Sequence, residues 1–294
     1  MDLPKVKGVY KEDSKLAHLT WFKVGGNADI LFKPLDEEDL ADFLKQIDKK
    51  TPITIIGAGS NVIIRDKGIE GVVVKLANSF TEIETLPGGN LLVGAGCLNF
   101  NLAKYAQVNT IKGFEFLVGI PGTIGGGVAM NAGSYGAEFK DIVTSVHALD
   151  RNGNKMLFTG EDMGFGYRKN SLPEGYIFTK VEFLVNHGDE EEIKKRMQEI
   201  STARASTQPI TEKTGGSTFA NPATCRAWEL IDKAGLRGAK IGGAMMSDKH
   251  CNFMINTGNA SASDLENLGE LVINRVKEKT GIELKWEIKR IGRK

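Results

Sequence analysis

GFEFLVGIPGTIGGGVAMNAGSYGAE, residues 113–138, is the stretch on which the fold turns. Its IPGTIGG core (120–126) offers several backbone donors beside Thr123, and NAGSYG (131–136) adds a second glycine cluster soon after. From Phe116 to Ala137 there is no charge, which raises the question of a membrane span. Seven glycines, Pro121 and Asn131 within that run would leave backbone groups unpaired in lipid. A buried loop system is the better reading. Glycine buries no side chain and costs backbone entropy, so such sequence is poor core material. It makes sense where a flat or phosphorylated ligand fills the space.

Outward from that segment, a second glycine loop lies in IIGAGSNVII (55–64). A strand runs into Gly57-Ala58-Gly59-Ser60-Asn61, whose successive amides can form an anion-binding nest. The third glycine of a Rossmann fingerprint is missing, no Gly-Lys-Ser/Thr follows, and a strand rather than a helix comes next. Read alone, GAGSN is equally compatible with a plain turn. Glycine is nonetheless in excess, at 35 of 294 residues or about 12%, against ~7% in average proteins.

Charge sets a different bound. With 38 basic and 37 acidic residues the net charge is +1, giving no long-range field for nucleic acid or an anionic membrane. Cys97, Cys225 and Cys251 are far apart and form no CxxC, as expected of free thiols in a reducing compartment, and no metal spacing is present. The N-terminal MDLPKVKGVYKEDSK lacks the apolar core of a signal peptide. These features predict a soluble, cytoplasmic protein with no nucleic-acid, membrane or obligate protein partner.

Periodicity gives the elements. Leu40, Phe43, Leu44 and Ile47 predict an amphipathic helix over 36–50, followed by short strands at 53–56 and 71–76. Two hairpins are expected, over 81–96 around Pro87-Gly88-Gly89 and over 142–159 around Asn152-Gly153, with a helix at 99–109 and a strand at 176–185. Helices follow at 189–204, around 227–234 with Gly235 closing it, and at 263–280 with a Ser263/Glu266 capping box. ELKWEIKRI (283–291) reads as a final strand. Strands dominate the first two-thirds and helices the rest, with a boundary near 190.

Several motifs in one order carry a resemblance. TWFKVGG (20–26), GAGSN, GFEFLVGIPGTIGG…NAGSYG, GYR (166–168), Arg204 with Gln208-Pro209, GGSTFANP (215–222), WELIDKAGLRG (228–238), SDKHCNFMIN (247–256) and WEIKR (286–290) make the chain similar to the UDP-N-acetylenolpyruvoylglucosamine reductase family. The likeness covers nearly the whole chain. It implies an α+β protein: a vanillyl-alcohol-oxidase/PCMH-type FAD-binding domain of two α+β subdomains, 1–76 and 77–190, then an α+β substrate-binding domain, 191–286. The C-terminal strand, 287–294, is expected to return to the first subdomain.

The same resemblance implies FAD as cofactor, NADPH as electron donor and a small nucleotide-sugar substrate whose enolpyruvyl vinyl ether is reduced. By position, Gly57, Ala58, Gly59, Ser60 and Asn61 would hold the FAD pyrophosphate. Gly119, Pro121, Gly122, Thr123, Gly125, Gly126, Asn131 and Gly133 would line the rest of it. The chemistry needs a cation, a general acid and a group that fixes the substrate carboxylate. Arg168 would grip that carboxylate, Ser217 would donate the proton, and Glu287 completes the catalytic set. Tyr167, Asn221 and Arg204 would contact substrate. Without the family, Tyr167-Arg168 reads as a surface pair, Gly-Gly-Ser-Thr as a turn, and Glu287 as a solvated strand residue. A lone His250 reads as structural.

The chain departs from the family pattern in places. Ala220 stands where a lysine is usual, Asn170 where serine is common and Trp21 where threonine is common. The span from Arg168 to Arg204 leaves no room for the tyrosine-bearing loop of one subgroup. The compact subgroup is therefore implied. A flavin enzyme of the same cofactor fold with another substrate, and a nucleotide-binding module without redox work, are the alternatives that the glycine loops alone permit.

Overall fold

The computed structural model describes residues 2–294. The chain forms two compact units. The first holds the described residues through Glu12, Ile30–Ala58 and Gly71–Thr202; the second holds Asp13–Asp29, Gly59–Glu70 and Ala203–Lys294.

In the first unit, one sheet has the strand order Val9–Lys15, Asn27–Lys33, Ile69–Val74, Ile53–Ile55, the last two parallel. Helix α1 (Glu37–Gln46) begins where the Asp36 carboxylate accepts the Asp39 amide, and it buries Leu40, Phe43 and Leu44. The Phe32 and Phe43 rings meet at 4.7 Å. Asp39 turns inward and takes the amides of Lys7, Gly8 and Leu35, which ties the N-terminal arm to the helix.

A second, antiparallel sheet runs Lys155–Thr159, Val143–Leu149, Ile177–Phe183, Leu91–Gly94, Ile83–Thr85. Both expected hairpins lie in it. At the first tip beyond Leu149, Asp150 accepts the amides of Asn152 and Asn154 while Gly153 takes φ +78°. Helices α2 (Asn99–Val108) and α4 (Glu190–Thr207) cover this region, α4 burying Ile193, Met197 and Ile200 as its spacing predicts.

The glycine-dense segment is more ordered than a loop system. It contains a short helix, α3 (Ile124–Ala129, IGGGVA), followed by a two-stranded ribbon of Gly133–Ser134 and Ala137–Glu138. Three glycines in six residues oppose a helix on propensity. Tertiary contacts override it: a Cβ on Gly127 would run into the Phe139 ring, and one on Gly125 would press on Ala95 at 3.0 Å.

The second unit contains a four-stranded antiparallel sheet, Lys213–Ser217, Phe253–Asn256, Ala244–Met246, Lys240–Ile241, which hydrophobic periodicity does not reveal because its strands are short and glycines adjoin them. Helices α5 (Ala227–Lys233) and α6 (Ala262–Thr280) pack with it around Phe22, Ile63, Phe219, Leu265, Leu268 and Val272. The cap of α6 is Ser261 with Asp264, not Ser263 with Glu266. Ser263 is otherwise engaged, since its amide and hydroxyl both donate to Asp66. The expected strand over 283–291 is regular only at Lys289–Ile291, which pairs in parallel with Val62–Ile64. Its alternation still holds, with Leu284 and Ile288 buried.

Among the described residues no helix is long and apolar enough to cross a membrane. Cys97, Cys225 and Cys251 are free thiols.

Candidate active site

Within the first unit a cleft of about 160 Å³ lies between the two sheets. Ile55, Leu76, Ala129, Tyr176 and Phe178 supply apolar walls; Gly57, Gly96, Thr123, Gly125 and Gly126 supply backbone. A Cβ on Gly57 would meet the Thr123 hydroxyl at 2.5 Å, so the strand end and the start of α3 close up only because residue 57 is glycine. Thr123 caps α3 by accepting the Gly126 amide.

The IPGTIGG amides are not the spare donors expected from sequence. Ile124 N–H donates to Cys97 O, Gly125 N–H to Ala95 O and Gly127 N–H to Thr123 O. Glycine here gives close approach rather than an open nest. One cation serves the cleft. Lys75 donates from Nζ to Gly57 O at 2.9 Å, and burial, with Lys33 nearby, holds its ammonium below the usual lysine range. Apolar walls, bare backbone and a positive charge at its edge suit the flat rings and phosphates of FAD.

Of the residues assigned to the cofactor, Gly57, Thr123, Gly125 and Gly126 line this cleft. Gly119 and Gly133 face protein instead: a Cβ on Gly119 would strike Ser134 Oγ at 2.6 Å, and one on Gly133 would strike the Glu138 Cβ at 2.7 Å. Asn131 is fully buried and spends its amide on Glu138, Gly166 and Lys140. Gly122 takes φ +124° and accepts the Asn99 amide, next to Pro121. Ile55, Leu76, Tyr176 and Phe178 were missed because they read as ordinary strand residues, and Lys75 because nothing local marks it.

Arg168 sits at the tip of a turn. Gly166 and Lys169 exchange backbone hydrogen bonds of 2.9 and 3.2 Å, leaving Tyr167 and Arg168 as the two central residues. Arg168 takes φ +56°, a position that favours glycine. Its Nη2 donates to Gly133 O at 3.1 Å and its guanidinium lies 5.2 Å from the Tyr167 ring centroid. Tyr167 is exposed, as a ligand contact requires.

The second unit gathers the other two catalytic candidates. Ser217 ends a strand whose register shifts between Thr214 and Ser217, where Gly216 takes φ +81°. The next residue, Thr218, accepts at its carbonyl the amides of Glu287 (2.9 Å) and Ile288 (3.4 Å). Phe219 and Trp286 form an isolated antiparallel bridge with ring centroids 5.3 Å apart. The backbone therefore sets Glu287 against Thr218, the residue that follows Ser217, and both Ser217 and Glu287 are half-buried. Asn61 joins them, its side chain donating to Glu287 O at 3.4 Å and its carbonyl accepting the Lys289 amide. Three residues drawn from GAGSN, GGSTF and WEIKR meet in one place.

Gly59 locks the loop that carries Ser60 and Asn61. It takes φ +66°, accepts the Trp21 amide at 2.9 Å, and has no room for a Cβ beside Leu19 O. TWFKVGG is thus a brace for GAGSN. Ala58 lies on the same loop, in the first unit. Among the softer assignments, Asn221 accepts the Ala227 amide at the start of α5, and Arg204 Nε donates to Gln208 at 3.2 Å. His250 packs against Trp228 and Phe253, and its Nδ1 accepts the Asn252 amide. No group of three or more His, Cys, Asp or Glu placed to hold a metal occurs among the described residues.

Comparison with known proteins identifies the family. The family described as FAD binding domain matches residues 28–156, and that described as UDP-N-acetylenolpyruvoylglucosamine reductase, C-terminal domain, matches 208–291. A UDP-N-acetylenolpyruvoylglucosamine reductase of Rickettsia rickettsii is 64% identical over 291 residues, 99% of this chain and 98% of that protein. The crystal structure of UDP-N-acetylenolpyruvylglucosamine reductase from Thermus caldophilus superposes with a TM-score of 0.84 at 34% identity, covering 97% of this chain and 99% of that one. The 6-hydroxy-D-nicotine oxidase of Arthrobacter nicotinovorans shares the cofactor fold alone, with a TM-score of 0.50 and 16% identity over 64% of this chain and 44% of that one. The chain belongs to the UDP-N-acetylenolpyruvoylglucosamine reductase family.

Proposed function

We propose that Arg168, Ser217 and Glu287 carry out the proton and charge chemistry of this FAD-dependent oxidoreductase, which uses NADPH to reduce UDP-N-acetylglucosamine enolpyruvate to UDP-N-acetylmuramate in peptidoglycan precursor synthesis. The observation that carries the reading is the hydrogen bond from Glu287 N–H to the carbonyl of Thr218, next in the chain to Ser217, with the Asn61 side chain of the GAGSN loop on Glu287 O. FAD, when bound, would supply the redox chemistry linking NADPH to the vinyl ether.

The chain's own residues handle what remains. Negative charge develops on the substrate carboxylate, and the planar fork of Arg168 can hold both oxygens and neutralise it. The adjacent vinyl carbon needs a proton. The Ser217 hydroxyl donates it to a strongly basic carbon centre, and Glu287 is the neighbouring acid that restores the serine's proton. Gly57, Ala58, Gly59, Ser60 and Asn61 would hold the FAD diphosphate, with Thr123, Gly125 and Gly126 against the rings and Gly119, Pro121, Gly122 and Gly133 behind them, while the buried Asn131, assigned to the cofactor from sequence, spends its amide on protein. Tyr167, Asn221 and Arg204 would bind the nucleotide sugar.

The matched families, on either side of residue 190, support a cofactor part formed by 1–76 and 77–190 and a substrate part formed by 191–286. We place the reaction in the cytoplasm.

The purified protein should be yellow, bleach with NADPH and regain colour on adding the enolpyruvyl nucleotide sugar. Recolouring by oxygen alone would assign it to another flavin chemistry. Ser217→Ala should leave bleaching by NADPH nearly intact and slow recolouring by about 10²–10⁴-fold. Equal slowing of both steps would remove serine from the proton-donor role.

A further inference from the structure

The Tyr167–Arg168 turn is held by one buried amide. Asn131 Nδ2 donates to Gly166 O at 3.1 Å, at the base of the turn, and to Glu138 Oε2 at 2.7 Å, while its Oδ1 accepts the Lys140 amide at 3.0 Å. The residue is fully buried. It also takes φ +42°, where few side chains besides asparagine and aspartate sit comfortably. Asparagine alone combines that backbone with two donors and an acceptor. All three are used, and they join three segments: the turn, the Glu138 strand of the ribbon and the chain at Lys140.

The link is returned from the other side. Asn170, just past the turn, donates from Nδ2 to Ala129 O at 2.7 Å and accepts the Leu172 amide. Arg168 Nη2 closes the set on Gly133 O. Residues 129–133 therefore grip 166–170 at three points, and two non-glycine residues, Asn131 and Arg168, sit at positive φ within the grip. Strain of this kind persists only where surrounding contacts over-determine the backbone.

We infer that Asn131 is a positioning residue: it aims the Arg168 guanidinium by anchoring the carbonyl of Gly166, and it does not itself touch the flavin. The inference rests on the assignment of Arg168 to the substrate carboxylate. Asn131→Asp keeps the shape and the tolerance of positive φ but loses both donors. Asn131→Gly keeps the φ without any side chain and serves if the aspartate variant does not fold.

Two half-reactions are measured by stopped flow, with the FAD dissociation constant and visible spectrum taken on the same proteins. Asn131→Asp should slow flavin reoxidation by the enolpyruvyl nucleotide sugar about 10- to 100-fold, as small misplacements of a binding group do. Reduction by NADPH, the spectrum and FAD affinity should stay unchanged. Parallel loss of FAD affinity, or equal slowing of both half-reactions, overturns the inference.

A second variant separates the turn from the ribbon. Asn131→Asp with Glu138→Gln restores a hydrogen bond to the ribbon but not to Gly166. It should regain melting temperature without regaining the reoxidation rate; recovery of the rate overturns the inference. In a cycle with Arg168→Lys, the double variant should be about as slow as the slower single, because both act through one guanidinium. Multiplying effects overturn the inference and leave the Arg168 assignment standing. A fully active Arg168→Lys single variant instead removes the assignment itself.

Discussion

The candidate residues of the two units are positioned by opposite means. In the first unit Arg168 is set by side chains: a buried asparagine, a second asparagine and its own guanidinium fix a turn whose tip sits at φ +56°. In the second unit Ser217 and Glu287 are set by main chain, through the carbonyl of Thr218 and the Phe219–Trp286 bridge. The first arrangement is strained and sensitive to residue type. The second depends on glycines and register, and only loosely on which side chains flank it. Difficult backbone geometry therefore falls on the candidate residue itself in one region and on its neighbours in the other.

The largest test of that contrast is at Arg168. Both Arg168→Ala and Arg168→Gly should slow substrate-dependent reoxidation by about 10²-fold or more, the scale of removing a charge-stabilising group. Their stabilities should differ in an unusual direction. Alanine keeps the cost of positive φ, about 1–2 kcal/mol, whereas glycine relieves it, so the glycine variant should unfold at higher denaturant. If alanine is the more stable of the two, the turn is not strained and the contrast fails.

In the main-chain region the expected damage is to support. Gly59→Ala puts a methyl against Leu19 O at φ +66° and should cost about 2–4 kcal/mol in a urea melt, from strain and overpacking together. It should also weaken FAD binding, because Ser60 and Asn61 shift with it. A neutral effect would show that the TWFKVGG brace is not needed.

The smallest effect concerns pH. Burial, followed by the neighbouring Arg237, lowers the His250 pKa below its ordinary 6.5, so the ring stays neutral and accepts the Asn252 amide. Above 6.5 neither state gains a proton and the contribution is fully present. Below it the unfolded chain takes up a proton that the folded chain refuses, so stability declines toward the lowered folded value. His250→Gln should flatten that acid limb while hardly moving stability at pH 8. An unchanged acid limb would place the sensitivity elsewhere.

How much of this was legible depends on the range of each interaction. Helix α1, both hairpins and the buried stripe of α4 follow from spacing within a dozen residues, and they appear where spacing puts them. The cap of α6 did not follow, because Ser261 and Ser263 both suit the role and Asp66, some two hundred positions away, takes Ser263. Helix α3 was hidden by its glycines, which are tolerated only through Phe139 and Ala95. At the site, the identities of Arg168, Ser217 and Glu287 came from resemblance. What holds each in place could not be read at all, since Thr218 O meeting Glu287 N is a main-chain event without a residue signature.

The parallel pairing of Lys289–Ile291 with Val62–Ile64 joins segments far apart in the chain. On the ribosome, the early strand waits with an open edge until residues 289–291 have been added. Glu287 enters only with that closing strand. A nascent chain therefore cannot set Glu287 against Thr218 O before residues 287–291 are made.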